Sequence, residues 1–352
     1  MRVNSRFTNA PKLCFVGPMV GQAGGHVTTQ GYVLSGLFGA AGYPTLAVST
    51  SLNRYLRLAD IAATLIRRRR DIDIALIEVY SGQAFVIADV ASAISRRMGY
   101  KTILTLHGGS LPDFIERHPD WTRRVLSRAH ALVAPSAYNA QGVTPLGLEA
   151  SVIPNVIDLA DYPYRHRERV QPRLFWIRSF HPIYNPALAL QVTAGLRADF
   201  PDTTLVMAGQ DKGMQGEMQT LAHELGIADA VRFPGFLDRA GKAREGSAAD
   251  IYLNTNRVDN MPVAIIEAGA MGLPVVATHV GGVPYLLQDG DNALLVPDDD
   301  APSMIGAVRR LLDEPQLAER LSANGRVLAE RSAWPTVRAQ WDALFAQLRA
   351  VE

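Results

Sequence analysis

Short apolar runs alternate along this chain with longer stretches in which apolar residues recur every three or four positions, the patterns of buried strands and one-sided helices. In the first half the runs are 11–17 (PKLCFVG), Thr45–Val48, Ile74–Val79, Thr102–Leu106 and Ala131–Ala134. In the second they are Arg173–Ile177, Thr204–Ala208, Ala230–Phe233, Ile251–Leu253 and Val275–Thr278. Helical periodicity occupies most of the intervals, including 60–70, 84–98, 121–129, 186–200, 216–225, 263–270, 302–312 and 316–330. This alternation predicts parallel sheets covered by helices. A last helix is predicted over Pro335–Leu348, with Val337, Trp341, Leu344, Phe345 and Leu348 on a packed face.

A chain of 352 residues is too long for one ordinary core and divides naturally in two. The stretch 159–172 (LADYPYRHRERVQP) is polar, charged and proline-containing, and is the linker candidate. The expectation is an α/β protein of two doubly wound units with a cleft between them.

Composition narrows the class. With 48% hydrophobic and 20% charged residues, the chain suits a compact soluble protein, and its net charge of +1 gives no reason to expect a nucleic-acid partner. Basic residues cluster locally at Arg67–Arg70, Arg96, Arg97, Lys101, Arg123, Arg124 and Arg128. They form either a solvated surface or an attraction for anionic lipid or an anionic acceptor. Cys14, the one cysteine, lies in an apolar run and reads as a core residue in a reducing compartment, with no thiolate cluster for a metal. The opening MRVNSRFTNAPK lacks the apolar core of a signal peptide, and no apolar run reaches the length of about 18 residues that spans a membrane. A cytoplasmic protein is expected, with at most peripheral contact at the inner face of a membrane.

Candidate chemistry concentrates in 257–296. Asp259, Asn260 and Pro262 open a helix that Gly272 ends, and Gly281-Gly282 precede a further helix start at Val283-Pro284. Two helix N-termini close behind strand ends collect unpaired backbone N–H groups, a natural place for a diphosphate. Glu267 stands alone as an acid among small and apolar helix residues, either facing solvent or meeting a ligand. A glycine-rich loop holds Gly24 and Gly25, but without the spacing of a dinucleotide fingerprint. His107, at the end of a strand and next to Gly108-Gly109, lies where open α/β sheets place ligands; the alternative is a structural histidine.

Asp259-x7-Glu267 followed by AGAMGLPVVATHVGGVPYLLQDGDNALLV resembles the E-x7-E segment and the G-x-P-V-V-A-[ST]-x-x-G-G motif of the retaining GT-B glycosyltransferases of family 4 (glycosyl transferases group 1). Gly24-Gly25, His107, VIPNVID at 152–158, Ala208-Gly209 and FPGF at 233–236 support a resemblance over 12–350. It implies two Rossmann-like domains facing across a cleft: an acceptor-binding domain at 1–165, a nucleotide-sugar-binding domain at 166–334, and a helix at 335–352 crossing back to the first. It further implies transfer of a hexosyl unit, with retention, from a nucleotide diphosphate sugar (UDP- or GDP-linked) to a hydroxyl acceptor, without metal or other cofactor. The acceptor would be a glycan, a lipid-linked molecule or a small molecule, as in polysaccharide or glycolipid synthesis. By the same resemblance Glu267 holds the donor ribose, Asp259 and His107 lie near the transferred sugar, and Asn260, Met261 and Pro262 address sugar and phosphate. Gly281, Gly282 and Val283 lie by the nucleotide, and Gly24 and Gly25 by the diphosphate.

The chain departs from that pattern in one respect. The arginine and lysine, five apart, that neutralise the diphosphate in the family fall here at Ser179 and Tyr184. Arg178, Lys212 and Arg257 are the candidates to replace them. Two other readings stay open: a nucleotide-sugar-binding or scaffold protein without activity, and a sugar-nucleotide epimerase or hydrolase on the same fold.

Overall fold

The computed structural model describes residues 10–21 and 28–350. The chain packs as two units, residues 1–156 with 337–352, and residues 157–336.

The first unit contains β1 (Leu13–Val16), α1 (Gln30–Ala40), β2 (Thr45–Val48), α2 (Arg54–Arg67), β3 (Ile74–Val79), α3 (Phe85–Met98) and β4 (Lys101–Leu106). It continues with α4 (Leu111–Arg117), α5 (Pro119–Leu126), β5 (Ala131–Ala134), α6 (Ala137–Gly142) and β6 (Ser151–Val152). Its six strands are parallel in the order β2-β1-β3-β4-β5-β6. The order reverses between β1 and β3, so a crevice for ligand is expected at their carboxyl ends. α2 begins earlier than the helix expected at 60–70, because the Asn53 side chain accepts from the N–H groups of Tyr55 and Leu56 and caps it.

The second unit contains β7 (Arg173–Ile177), α7 (Pro186–Arg197), β8 (Thr204–Ala208), α8 (Gln215–Glu224), β9 (Val231–Gly235), α9 (Arg239–Ala248), β10 (Ile251–Asn254) and α10 (Val263–Ala270). β11 (Val275–Thr278), α11 (Val283–Leu286), β12 (Leu294–Val296), α12 (Ala301–Asp313) and α13 (Pro315–Arg331) complete it. Its sheet is again parallel, β12-β11-β10-β7-β8-β9, reversing between β7 and β10.

The stretch expected as a linker is partly interior to the second unit. Arg167 is 1% exposed and donates to the carbonyls of Arg165, Gly246 and Ala249 at 2.7, 3.0 and 3.0 Å, and to that of Met271. Buried Asp250 receives Arg165 and Arg173 at 2.7 and 2.6 Å. The charged composition that suggests a linker therefore serves to satisfy buried carbonyls and one buried carboxylate.

The final helix α14 (Trp334–Ala350) packs its apolar face on the first unit from Val337 onward. Phe345 meets Phe38 at 5.4 Å between ring centroids, and Asp342 accepts from the Tyr43 hydroxyl at 2.8 Å.

α10 is buried along nearly its whole length, and it crosses α13 where glycine faces glycine. A Cβ on Gly269 would lie 2.4 Å from the Gly325 carbonyl oxygen, whereas one on Gly325 would meet Gly269 at an ordinary 3.4 Å. Gly269→Ala is therefore expected to destabilise the protein by about 1–3 kcal/mol in urea unfolding. Gly325→Ala should stay within about 1 kcal/mol of wild type, its helix-propensity gain offsetting the small contact.

Candidate functional site

In the second unit, the residues singled out from sequence gather at the carboxyl ends of β7, β10 and β11. Backbone approaches backbone there: a Cβ on Gly282 would fall 1.9 Å from the Asn260 carbonyl oxygen, and one on Gly281 2.4 Å from that of Asp259. The Gly282 N–H donates to the Asp259 carbonyl at 2.9 Å, tying the loop after β11 to the loop before α10. Asn260, Met261 and Pro262 are buried at this junction, and Val283 is fully buried behind it.

Asp259 is the centre of a polar cluster. Its carboxylate accepts from the Asn256 amide at 2.6 Å and from the Asn260 backbone N–H at 2.8 Å, and it is paired with the Arg178 guanidinium. Arg178 also reaches the Asn256 side-chain oxygen at 3.3 Å, and its guanidinium lies 4.7 Å over the Tyr184 ring. Arg178, which follows β7 at the strand-order reversal, thus turns toward the acid rather than away from it.

The other two cations lie apart from this cluster's contacts. Arg257 is paired with Asp299 at 3.0 Å, and the same carboxylate oxygen accepts from Asn185 at 2.8 Å. Lys212 is exposed on a loop that Asp211 organises by accepting three backbone N–H groups.

Glu267 is buried, one turn into α10, and both of its oxygens are engaged. Lys242 donates to them at 2.8 and 3.0 Å, and the Tyr162 hydroxyl donates to one at 2.7 Å. Burial, then the Glu267 charge, push the Tyr162 phenol far above its ordinary range, which keeps it a donor. Sequence reasoning missed both partners. Lys242 sits on α9, whose buried positions are Gly241, Glu245 and Gly246, so no apolar stripe announces the helix. Tyr162 lies in the stretch read as a linker.

In the first unit, Gly24 and Gly25 lie outside the described residues. His107 follows β4, its backbone N–H donating to the Val79 carbonyl at 2.8 Å. Buried Asn139 of α6 braces the same loop by donating to the carbonyls of Leu106 and Gly108 at 3.2 and 3.3 Å. The imidazole stacks on Tyr80 at 5.4 Å between centroids, and its Nε2 stands 3.8 Å from Oε1 of Glu78. Burial pushes this imidazole down to about 4 and the Glu78 carboxyl up to about 7. Among the described residues no group of three or more histidine, cysteine or acidic side chains is placed to hold a metal ion, and no helix is long and apolar enough to cross a membrane.

Residues 167–328 match the family described as glycosyl transferases group 1, and residues 38–161 match glycosyltransferase family 4. The chain is 32% identical over 201 residues to a phosphatidyl-myo-inositol mannosyltransferase of Mycolicibacterium smegmatis, across 55% of this chain and 51% of that protein. It is 31% identical over 139 residues to an alpha-D-kanosaminyltransferase of Streptomyces kanamyceticus, across 40% of this chain and 36% of that one. In these matches the chain spans about half the length of the curated relatives, or less. Among solved structures, a sucrose-phosphate synthase from Thermosynechococcus elongatus superposes with TM-score 0.74 at 18% identity, covering 97% of this chain and 99% of that one. Anabaena Alr3699/HepE, in complex with UDP and glucose, superposes with TM-score 0.75 at 16% identity, covering 96% and 100%. These likenesses establish the fold.

Glu78 also makes the first unit sensitive to pH. Its folded pKa is raised from 4.5 to about 7, so between those values the native state holds a proton that the unfolded chain has released. Stability is then greatest below about pH 4.5 with respect to this group and falls as pH rises through about 7. Urea unfolding of Glu78→Gln is expected to lose this slope and, at pH 8, to require about 1–3 kcal/mol more than wild type.

Proposed function

We propose that this chain, a GT-B-fold glycosyltransferase related to glycosyl transferases group 1 and to glycosyltransferase family 4, moves a hexosyl unit from a nucleotide diphosphate sugar to a hydroxyl acceptor with retention at the anomeric carbon. The observation that carries the reading is the junction at α10. Glu267 is buried and oriented there, Asp259 stands eight residues before it, and Gly281-Gly282 pack backbone to backbone against the segment between them.

In this reading the second unit takes the donor. Glu267 accepts from the ribose hydroxyls, with Lys242 and Tyr162 holding the carboxylate in place. Asp259 and Asn260 to Pro262 address the sugar, and the backbone at Gly281, Gly282 and Val283 lies along the nucleotide. Pro262 contributes no N–H, so amides on either side of it must carry the phosphate contacts. Of the three candidate cations, Arg178 is assigned to the diphosphate, because it alone shares a cluster with Asp259. Lys212 and Arg257 supply more distant positive charge. Gly24 and Gly25 are assigned to the diphosphate and the acceptor, and His107 to the transferred sugar.

The chemistry needs little covalent help from the protein. The bond between the anomeric carbon and the phosphate oxygen breaks, the acceptor oxygen bonds to that carbon on the same face, and the acceptor's hydroxyl proton passes to the leaving phosphate. The protein's contribution is to orient the two substrates and stabilise the charge that develops on the diphosphate.

A donor screen of UDP- and GDP-sugars by thermal shift, followed by transfer to an acceptor panel, tests the reading. Donor binding without turnover would leave a binding protein in its place, and free sugar as the main product a hydrolase. Glu267→Ala is expected to weaken donor binding at least tenfold by calorimetry, and unchanged affinity would remove the ribose contact. Arg178→Ala should lower kcat by about 100-fold, with Lys212→Ala and Arg257→Ala each below about fivefold.

The acceptor is proposed to be met at the inner face of a membrane. Leu52, Tyr55 and Leu56 are 62%, 68% and 63% exposed at the start of α2, beside Arg54 and Arg57, and Arg67 to Arg70 lie at its end. Exposed apolar tips among cations suit an anionic lipid surface. Sedimentation with phosphatidylglycerol vesicles should carry the protein down at low salt, and L52S/Y55S/L56S should reduce that binding at least fivefold.

A further inference from the structure

The first unit buries a carboxylate that the donor reading does not use. Glu78 stands on β3 beside β1, where the strand order reverses, and its side chain is 3% exposed. The five other residues of the strand, Ile74 to Ile77 and Val79, are apolar. Oε1 accepts from the Gly31 N–H at 2.8 Å, while Oε2 has no close hydrogen-bond donor among the described residues. Two glycines keep room for this carboxylate: a Cβ on Gly17 would come within 2.4 Å of Oε2, and one on Gly31 within 2.8 Å of Oε1. A cavity opens alongside, lined by Glu78, His107, Gln30, Thr105 and Trp341 among others.

Burying a carboxylate without a fixed cation costs several kcal/mol. No lysine or arginine forms an ion pair with Glu78 among the described residues; the ionisable groups beside it are the imidazole of His107, 3.8 Å away, and the Tyr80 phenol. For packing alone, an apolar residue like its strand neighbours would serve better. The carboxylate is therefore retained for what it does to that imidazole.

We propose that Glu78 is a positioning residue for His107, directing Nε2–H toward Oε1 and so leaving the Nδ1 lone pair, beside the transferred sugar, to meet an acceptor hydroxyl other than the attacking one. The tautomer of a histidine is set by the hydrogen bond its other nitrogen makes. At 3.8 Å the pair is outside hydrogen-bond range and closes when the acceptor is bound, as catalytic contacts commonly do. Around the carboxylate, the Gly31 N–H from α1 and the hydroxyls of Thr29 and Tyr80 favour its charged form, burial opposes it, and Arg57 of α2 acts on the Tyr80 phenol. With burial raising the carboxyl to about 7, the charged form that holds Nε2–H is gained as pH rises through that value. This role rests on the glycosyltransferase reading, and the test separates the two.

The full chain, Glu78→Gln and Glu78→Asp are compared in acceptor-dependent transfer at saturating donor, from about pH 5.5 to about pH 8.5. In parallel, the His107 ring is followed by nitrogen-15 NMR. Wild type should gain activity through about pH 7, and E78Q should lose this limb with kcat lowered about 10–100-fold and donor KM unchanged. E78D should recover part of the rate, and the His107 nitrogens should shift from one tautomer toward a mixture in E78Q. An E78Q enzyme that keeps both the pH limb and the wild-type tautomer overturns the proposal. If no donor supports transfer, the glycosyltransferase reading fails, and the NMR comparison alone decides the role of Glu78.

Discussion

At the strand ends of the second unit, main chain is packed directly against main chain, and the polar cluster around Asp259 is placed by that contact. Gly282 against Asn260, and Gly209, whose Cβ would meet the Arg178 carbonyl at 1.8 Å, leave no space for side chains between neighbouring loops. Carbonyls and N–H groups are therefore fixed by covalent geometry rather than by rotamers. Asp259 inherits its orientation from this arrangement, because its own carbonyl is held by the Gly282 N–H while its carboxylate is held by the Asn260 N–H. Polar groups set in advance have little reorganisation to undergo when a charged ligand arrives.

The two units treat buried acids in opposite ways. In the second, buried Glu267 and Asp250, and partly buried Asp259 with them, each meet a cation, so their charge is compensated inside the unit. In the first, Glu78 meets a backbone N–H, the hydroxyls of Thr29 and Tyr80 and an imidazole, and forms no ion pair with lysine or arginine among the described residues. A cation beside a buried carboxylate offsets the cost of removing its charge from water, which burial alone leaves unpaid.

Much of the architecture was legible because strands buried on both faces read as continuous apolar runs, as at Leu13–Val16 and Ile251–Leu253. The site was legible where backbone needs leave a residue signature, as at Gly281-Gly282, and where an acid interrupts an apolar helix, as at Glu267. What escaped had no periodicity to show. α9 buries glycines and a glutamate instead of an apolar stripe, so Lys242 stayed hidden, and α2 starts from an asparagine cap rather than from its apolar face. Arg167 looked like solvent-facing charge because composition cannot distinguish an arginine in water from one that satisfies four carbonyls. Glu78 passed unremarked within the run Ile74–Val79, because its meaning depends on Gly17, Gly31 and His107, which only the folded sheet brings near.

The return of α14 to the first unit has a consequence for how the protein is made. Phe38 and Tyr43, near the start of the chain, find ring partners in Phe345, a residue the ribosome adds some three hundred residues later. During synthesis the amino-terminal unit emerges with its sheet available but this patch uncovered, while the second unit, continuous in sequence from 157 to 336, can finish first. The order of completion is thus the reverse of the order of translation, and the last helix acts as the closing clasp of the unit that was begun first.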